Sequence, residues 1–128
     1  MRGFLVLTAS AFLACCTRTT PADVVRQAFD AAAQNDAAEF RHVVAPSATI
    51  TFMNGNPRPL TLSDLQLHRT CRLADIRETA SGYVFASGNC EDEVAPSVRR
   101  AFGPAPMAFQ VYLKDGKILR VDRVVFPL

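Results

Sequence analysis

Met107-Ala108-Phe109-Gln110-Val111-Tyr112-Leu113 and Ile118-Leu119-Arg120-Val121-Asp122-Arg123-Val124-Val125 flank Lys114-Asp115-Gly116-Lys117. Both runs alternate as strands do. Asp-Gly between them is the strongest short hairpin signal, because a type I′ turn needs positive φ at both central residues. The chain therefore closes on an antiparallel hairpin. A second one precedes it. Arg72–Arg77 and Tyr83–Ser87 read as strands around the turn-rich Thr79-Ala80-Ser81-Gly82. Folded regularly about Ala80-Ser81, the hairpin places Cys71 directly opposite Cys90, where cross-strand Cβ atoms come within about 4.5–5.5 Å. Modest strand adjustment brings such a pair into disulfide range. Two free buried thiols are the alternative. Val94 to Ala105, with Pro96, Gly103 and Pro104, reads as a long loop.

Upstream the period changes. Thr20-Pro21-Ala22-Asp23 is a helix start, with a capping hydroxyl, a proline suited to the first turn and an acid that complements the dipole. Val25, Ala28, Phe29 and Ala32 follow at i, i+3, i+4 and i+7, an apolar stripe that faces a core. Near Asn35 this helix stops. Asp36 and Glu39 open a second, carrying Phe40, Val43 and Val44 until Pro46. Ala48–Phe52 alternates as a strand, and Asn54–Pro59 reads as a loop. Thr61-Leu62-Ser63-Asp64 opens a third short helix that ends near His68. Helices first and strands later predict an α+β domain over residues 21–128, with the helices packed on one face of a curved antiparallel sheet.

Composition agrees with one globular domain. The chain has 128 residues, 49% hydrophobic and 20% charged. A formal charge of +2 with no Lys/Arg run does not argue for nucleic acid. No apolar stretch reaches the roughly 18–20 residues that span a bilayer.

The order of elements resembles the NTF2-like superfamily, the cone-shaped fold shared by SnoaL-like polyketide cyclases and ketosteroid isomerase. The opening helix Ala22–Asn35, the break at Asn35-Asp36 and the ending Tyr112-Leu113-Lys114-Asp115-Gly116-Lys117-Ile118-Leu119-Arg120-Val121 carry the resemblance. The cystatin-like fold, with fewer N-terminal helices, is the runner-up. Enzymes of the superfamily use a carboxylate or histidine base in the mouth of the cone. No motif of theirs matches here closely enough to transfer a residue.

The first residues point to export. Arg2 precedes a mostly apolar run from Phe4 to Ala14, the shape of a secretory signal over residues 1–14. Its end, Phe12-Leu13-Ala14-Cys15-Cys16, resembles the lipobox of bacterial lipoproteins. The resemblance implies diacylation of Cys15, a tether over residues 15–20 and membrane anchoring through the lipid. Cys16 rather than Asp after Cys15 implies the outer membrane, facing the periplasm. Lipidation at Cys16, plain secretion and a buried N-terminal helix are the alternatives. An oxidising compartment permits the Cys71–Cys90 bond.

Candidate chemistry is sparse. Asp75 sits mid-strand, where a desolvated carboxylate could serve as a base. The opposed reading is an exposed residue paired with Arg77. His68 ends a short helix, the second candidate base. In a regular hairpin Tyr83 points to the opposite face from Asp75, which excludes that dyad. His42 lies away from its helix's apolar stripe. Glu91-Asp92-Glu93 lacks the spacing of a calcium loop, and no metal site or cofactor motif is present. Phe29, Phe40, Phe52, Phe85 and Phe109 are the aromatic candidates to line a pocket. The leading expectation is a non-catalytic envelope lipoprotein that binds a small apolar ligand or a protein partner, with the sheet available for a homodimer. The rival is a small isomerase, dehydratase or cyclase-like enzyme using Asp75 or His68.

Overall fold

The computed structural model describes residues 19–52, 55–91, 95–103 and 105–125. The signal segment, Cys15 and Cys16 lie outside them, as do Asp92 and Glu93.

Helix α1 spans Pro21–Ala33. Thr20 caps it reciprocally: the Asp23 N–H donates to the Thr20 hydroxyl, and the Thr20 N–H donates to the Asp23 carboxylate, each at 3.2 Å. Both bonds satisfy donors that a helix start leaves unpaired. Asn35, at φ 55°, turns the chain out of the helix. Helix α2, Ala37–Val43, starts from Asp36, whose carboxylate accepts from the Glu39 N–H at 3.1 Å. Strand β1, Val44–Phe52, follows without a break. Arg58–Pro59, expected as loop, forms a two-residue strand β2 on β1. Leu62–Leu65 is a single 3-10 turn, shorter than the helix expected there.

Strands β3 (Cys71–Glu78) and β4 (Val84–Cys90) form the first hairpin, and β5 (Ala105–Lys114) and β6 (Lys117–Val125) the second. Asp115 and Gly116 have φ of 54° and 78°, as a type I′ turn requires. The segment expected as one long loop between the hairpins carries a short helix, α3, Pro96–Phe102. Proline is tolerated in a first helical turn, where its missing N–H has no partner to lose.

All six strands form one sheet in the order β2-β1-β6-β5-β4-β3. It is mixed rather than wholly antiparallel, because β1 and β6 run parallel. Helices α1 and α2 cover its inner face. Val25, Ala28, Phe29 and Ala32 of α1 pack over Ala86, Phe109, Val111 and Val121 of the sheet. Phe29 meets Phe109 edge to face, centroids 5.2 Å apart, a geometry that aligns ring edge with ring face.

Cys71 and Cys90 are joined, Sγ to Sγ, at opposite positions of β3 and β4. The regular register expected there holds from Cys71 to Leu73 and then shifts. Leu73 pairs with Gly88 but Asp75 pairs with Ser87, so Ala74 is the extra residue of a β-bulge. Gly88 permits it. A Cβ at Gly88 would lie 1.8 Å from the Arg72 carbonyl oxygen.

Candidate functional site

Two bulges decide which side chains face inward. A hairpin folded regularly about Asp115-Gly116, with Ile118 inside, would also turn Arg120 and Asp122 inward. Instead Leu113 pairs with Ile118 and Tyr112 with Arg120, leaving Leu119 as an extra residue. Alternation restarts beyond it. Arg120 and Asp122 go to the outer face, where they pair at 2.6 Å. Val121 and Arg123 turn inward.

Arg123 therefore stands between Phe109 on β5 and Phe52 on β1, its register partners on either side. Its guanidinium lies 5.9 Å from the Phe109 centroid and 5.8 Å from that of Phe52. Below it opens a cavity of about 200 Å³ between the 3-10 turn and the inner face. Its exposed lining is mostly polar, from Asp64, Gln66, His68 and Arg123, and Leu67 with the edges of the nearly buried Met107 and Phe109 supplies a smaller apolar part. The disulfide borders it through Cys71, and Cys90 Sγ lies 3.7 Å from Met107 Sδ.

Asp64 is committed elsewhere. Arg58 grips its carboxylate with both terminal nitrogens, at 2.5 and 3.0 Å. The Thr61 N–H and hydroxyl donate to the same group at 2.7 and 3.0 Å. Burial pushes the Asp64 carboxyl up, but the bonds from Arg58 and Thr61 together outweigh it and hold the group below its ordinary value. The same pair holds the Arg58 guanidinium above its own. Arg58 also stacks on Phe52, 5.1 Å from the ring centroid. The His68 Nδ1 lies 2.8 Å from the Thr70 hydroxyl, and the Thr70 N–H points at it from 3.4 Å.

Asp75 lies elsewhere. The bulge at Ala74 sets it opposite Ser87, on the side of Arg77 and Phe85, and away from the inner face it would share with Ala86 and Cys90 in a regular register. Its carboxylate is 3.6 Å from Arg77, and the side chain is half exposed. The same shift overturns the separation of Asp75 from Tyr83, since both now belong to the outer face. Tyr83 packs there on Tyr112, centroids 5.5 Å apart. His42 is exposed on α2.

The five phenylalanines divide. Phe109 lines the cavity. Phe29 backs it edge-on, Phe40 on α2 is buried in the core, and Phe52 stands at the rim, 36% exposed. Phe85 faces outward under Arg77, because its neighbours Val84 and Ala86 take the inner face. Sequence reasoning missed Arg58, Asp64 and Arg123. The signal for Asp64 was its place at the third position after Thr61 in Thr61-Leu62-Ser63-Asp64, read only as a helix start, whereas Arg123 needed knowledge of the Leu119 bulge. No group of three or more His, Cys, Asp or Glu arranged to hold a metal occurs among the described residues.

This arrangement of helices over a curved, open sheet is the NTF2-like cone. No family model and no curated protein matches the sequence. Solved structures do match in fold. An uncharacterised cystatin-fold protein from Novosphingobium aromaticivorans is 14% identical with a TM-score of 0.60, over 84% of this chain and 99% of its own. An NTF2-like protein from Burkholderia thailandensis is 17% identical with a TM-score of 0.58, over 85% and 92%. A candidate polyketide cyclase from Sinorhizobium meliloti is 17% identical with a TM-score of 0.55, over 80% and 94%. Identities this low establish the fold and leave chemistry to the site.

Proposed function

We propose that the chain is the binding domain of an exported lipoprotein, taking a small, largely apolar ligand into the cavity beneath Arg123 without transforming it. The observation that carries this reading is the state of Asp64. It is the carboxylate that borders the cavity, and Arg58 and Thr61 hold it ionised and fully bonded. A general base works best with a pKa raised toward the operating pH, and Asp64 is shifted the other way. Asp75 is half exposed, pairs with Arg77 and borders a separate hollow of about 270 Å³ against Arg26, Phe29 and Asp30 of α1, away from the cavity beneath Arg123, and the Nδ1 of His68 is engaged by Thr70. Leu67 and the edges of Met107 and Phe109 offer the apolar part of such a ligand a contact surface. Export is supported by the Cys71–Cys90 bond, since disulfides persist in oxidising compartments. Anchoring through Cys15 rests on the lipobox-like sequence alone.

Amide NMR during titration with small neutral fragments tests the binding site. Shifts should cluster on Leu67, His68, Met107 and Phe109. A cluster on the outer face, around Phe85 and Tyr112, would refute the assignment. Turnover of any substrate that falls at least about a hundredfold in Asp64→Asn, with the fold intact, would favour the enzyme instead.

A further inference from the structure

Arg123 is the one arginine that is not exposed among the described side chains. Arg26, Arg58, Arg77 and Arg120 each face a carboxylate. Arg123 has neither an ion pair nor a side-chain hydrogen bond among the described residues. Its contacts are the two aromatic rings, which flank the guanidinium and leave its five N–H donors without an acceptor among the described residues. None of the buried side-chain nitrogens among the described residues lacks a partner, so these donors are open to solvent in the cavity. Asp64 cannot neutralise the cation, because Arg58 already balances it. Arg58, Asp64 and Arg123 together leave one positive charge at the mouth.

Partial burial of the guanidinium strengthens what such a charge does to an incoming anion. The planar fork matches a carboxylate bidentately. The volume, about 200 Å³, is below the range typical of drug-sized pockets and suits a molecule of one or two rings. We infer that the ligand is a small, flat carboxylic acid, bound as its anion with the carboxylate on Arg123 and its body in the cavity beside Leu67 and the edge of Phe109. This inference rests on the proposed binding role of the cavity and specifies its ligand class.

Matched acid and amide pairs test it: benzoate with benzamide, phenylacetate with phenylacetamide, 2-naphthoate with 2-naphthamide. Each pair has the same shape and differs in charge. Each compound is titrated into the exported protein with its disulfide intact, and binding is read from the amide signals of Leu67 and Phe109. The expected result is that at least one acid binds about ten- to a hundredfold tighter than its amide, the range for a hydrogen bond to a charged group. Arg123→Met should erase the preference, and Arg123→Lys should keep part of it. Acid and amide binding equally would overturn the anion inference while leaving the cavity a binding site. A preference that survives in a folded Arg123→Met variant would overturn the role of Arg123. Failure of every compound to move those signals would overturn the binding role itself, and this inference with it.

Discussion

Gly88→Ala should destabilise the fold far beyond a usual surface change. A Cβ there would lie 1.8 Å from the Arg72 carbonyl oxygen, 2.7 Å from its carbon and 2.8 Å from the Leu73 Cα. All three are backbone atoms, so no rotamer change relieves the contact. Strand β3 must retreat by more than an ångström to restore ordinary packing. It is an edge strand, free on its far side, but the Cys71–Cys90 bond pins it two residues from the clash. Overpacking costs about 1–3 kcal/mol where side chains can yield. Ladder hydrogen bonds lost as β3 moves add about 1 kcal/mol each. We expect about 3–5 kcal/mol, which for a domain of this size lowers the melting temperature by roughly 10–20 °C. Thermal unfolding followed by circular dichroism measures it, with exposed Asn89→Ala as the control. In a Cys71→Ser/Cys90→Ser background the same substitution should cost less, because β3 can move away. A Gly88→Ala protein melting within about 3 °C of the parent would refute both the bulge and the close approach.

Reducing the disulfide should itself lower stability by about 3 kcal/mol, the chain-entropy value for a loop of some twenty residues, read from denaturant midpoints with and without reductant. The depressed Asp64 carboxyl contributes stability that is present above its unfolded value near 3.8 and lost as pH falls through the lower folded one. Asp64→Asn should therefore be less stable at neutral pH and show a shallower loss of stability below about pH 4 in acid titrations. Asp75→Asn, on the exposed outer face, should change stability by less than about 1 kcal/mol in the same denaturant assay and leave fragment affinity unchanged. Cys15→Ser should abolish the diacylated N-terminal peptide in mass spectrometry, and a parent chain maturing without lipid would refute the anchoring.

What the sequence made legible was whatever a local rule governs. Asp115-Gly116 specified its turn, Thr20 and Asp36 specified their caps, and Cys71 met Cys90 because the regular register holds for the first three pairs. The side-chain faces that were hidden share a cause. Counting along a strand assumes unbroken alternation, and one inserted residue reverses every side chain beyond it. Ala74 moved Asp75 to the outer face, and Leu119 carried Arg123 into the cavity. A signal for the first existed, since a glycine inside a strand often marks a bulge or close backbone approach, and Gly88 is one. Leu119 offers no such mark. The parallel β1–β6 pair was equally hidden, because nothing in a hairpin-rich sequence announces a pairing between distant segments.

That parallel pair constrains how the chain can fold. Thr49 and Arg120 are neighbours in the sheet, though about seventy residues separate them in sequence. Closing so large a loop comes late, since its entropy is lost before any contact repays it. As the chain emerges during synthesis, the apolar stripe of α1 is complete long before Phe109 and Val121 exist to cover it. Val25 and Phe29 then wait in water for most of the polypeptide to follow. The nascent protein therefore passes through an interval of exposed hydrophobic surface, during which rapid arrival of the last hairpin separates folding from aggregation.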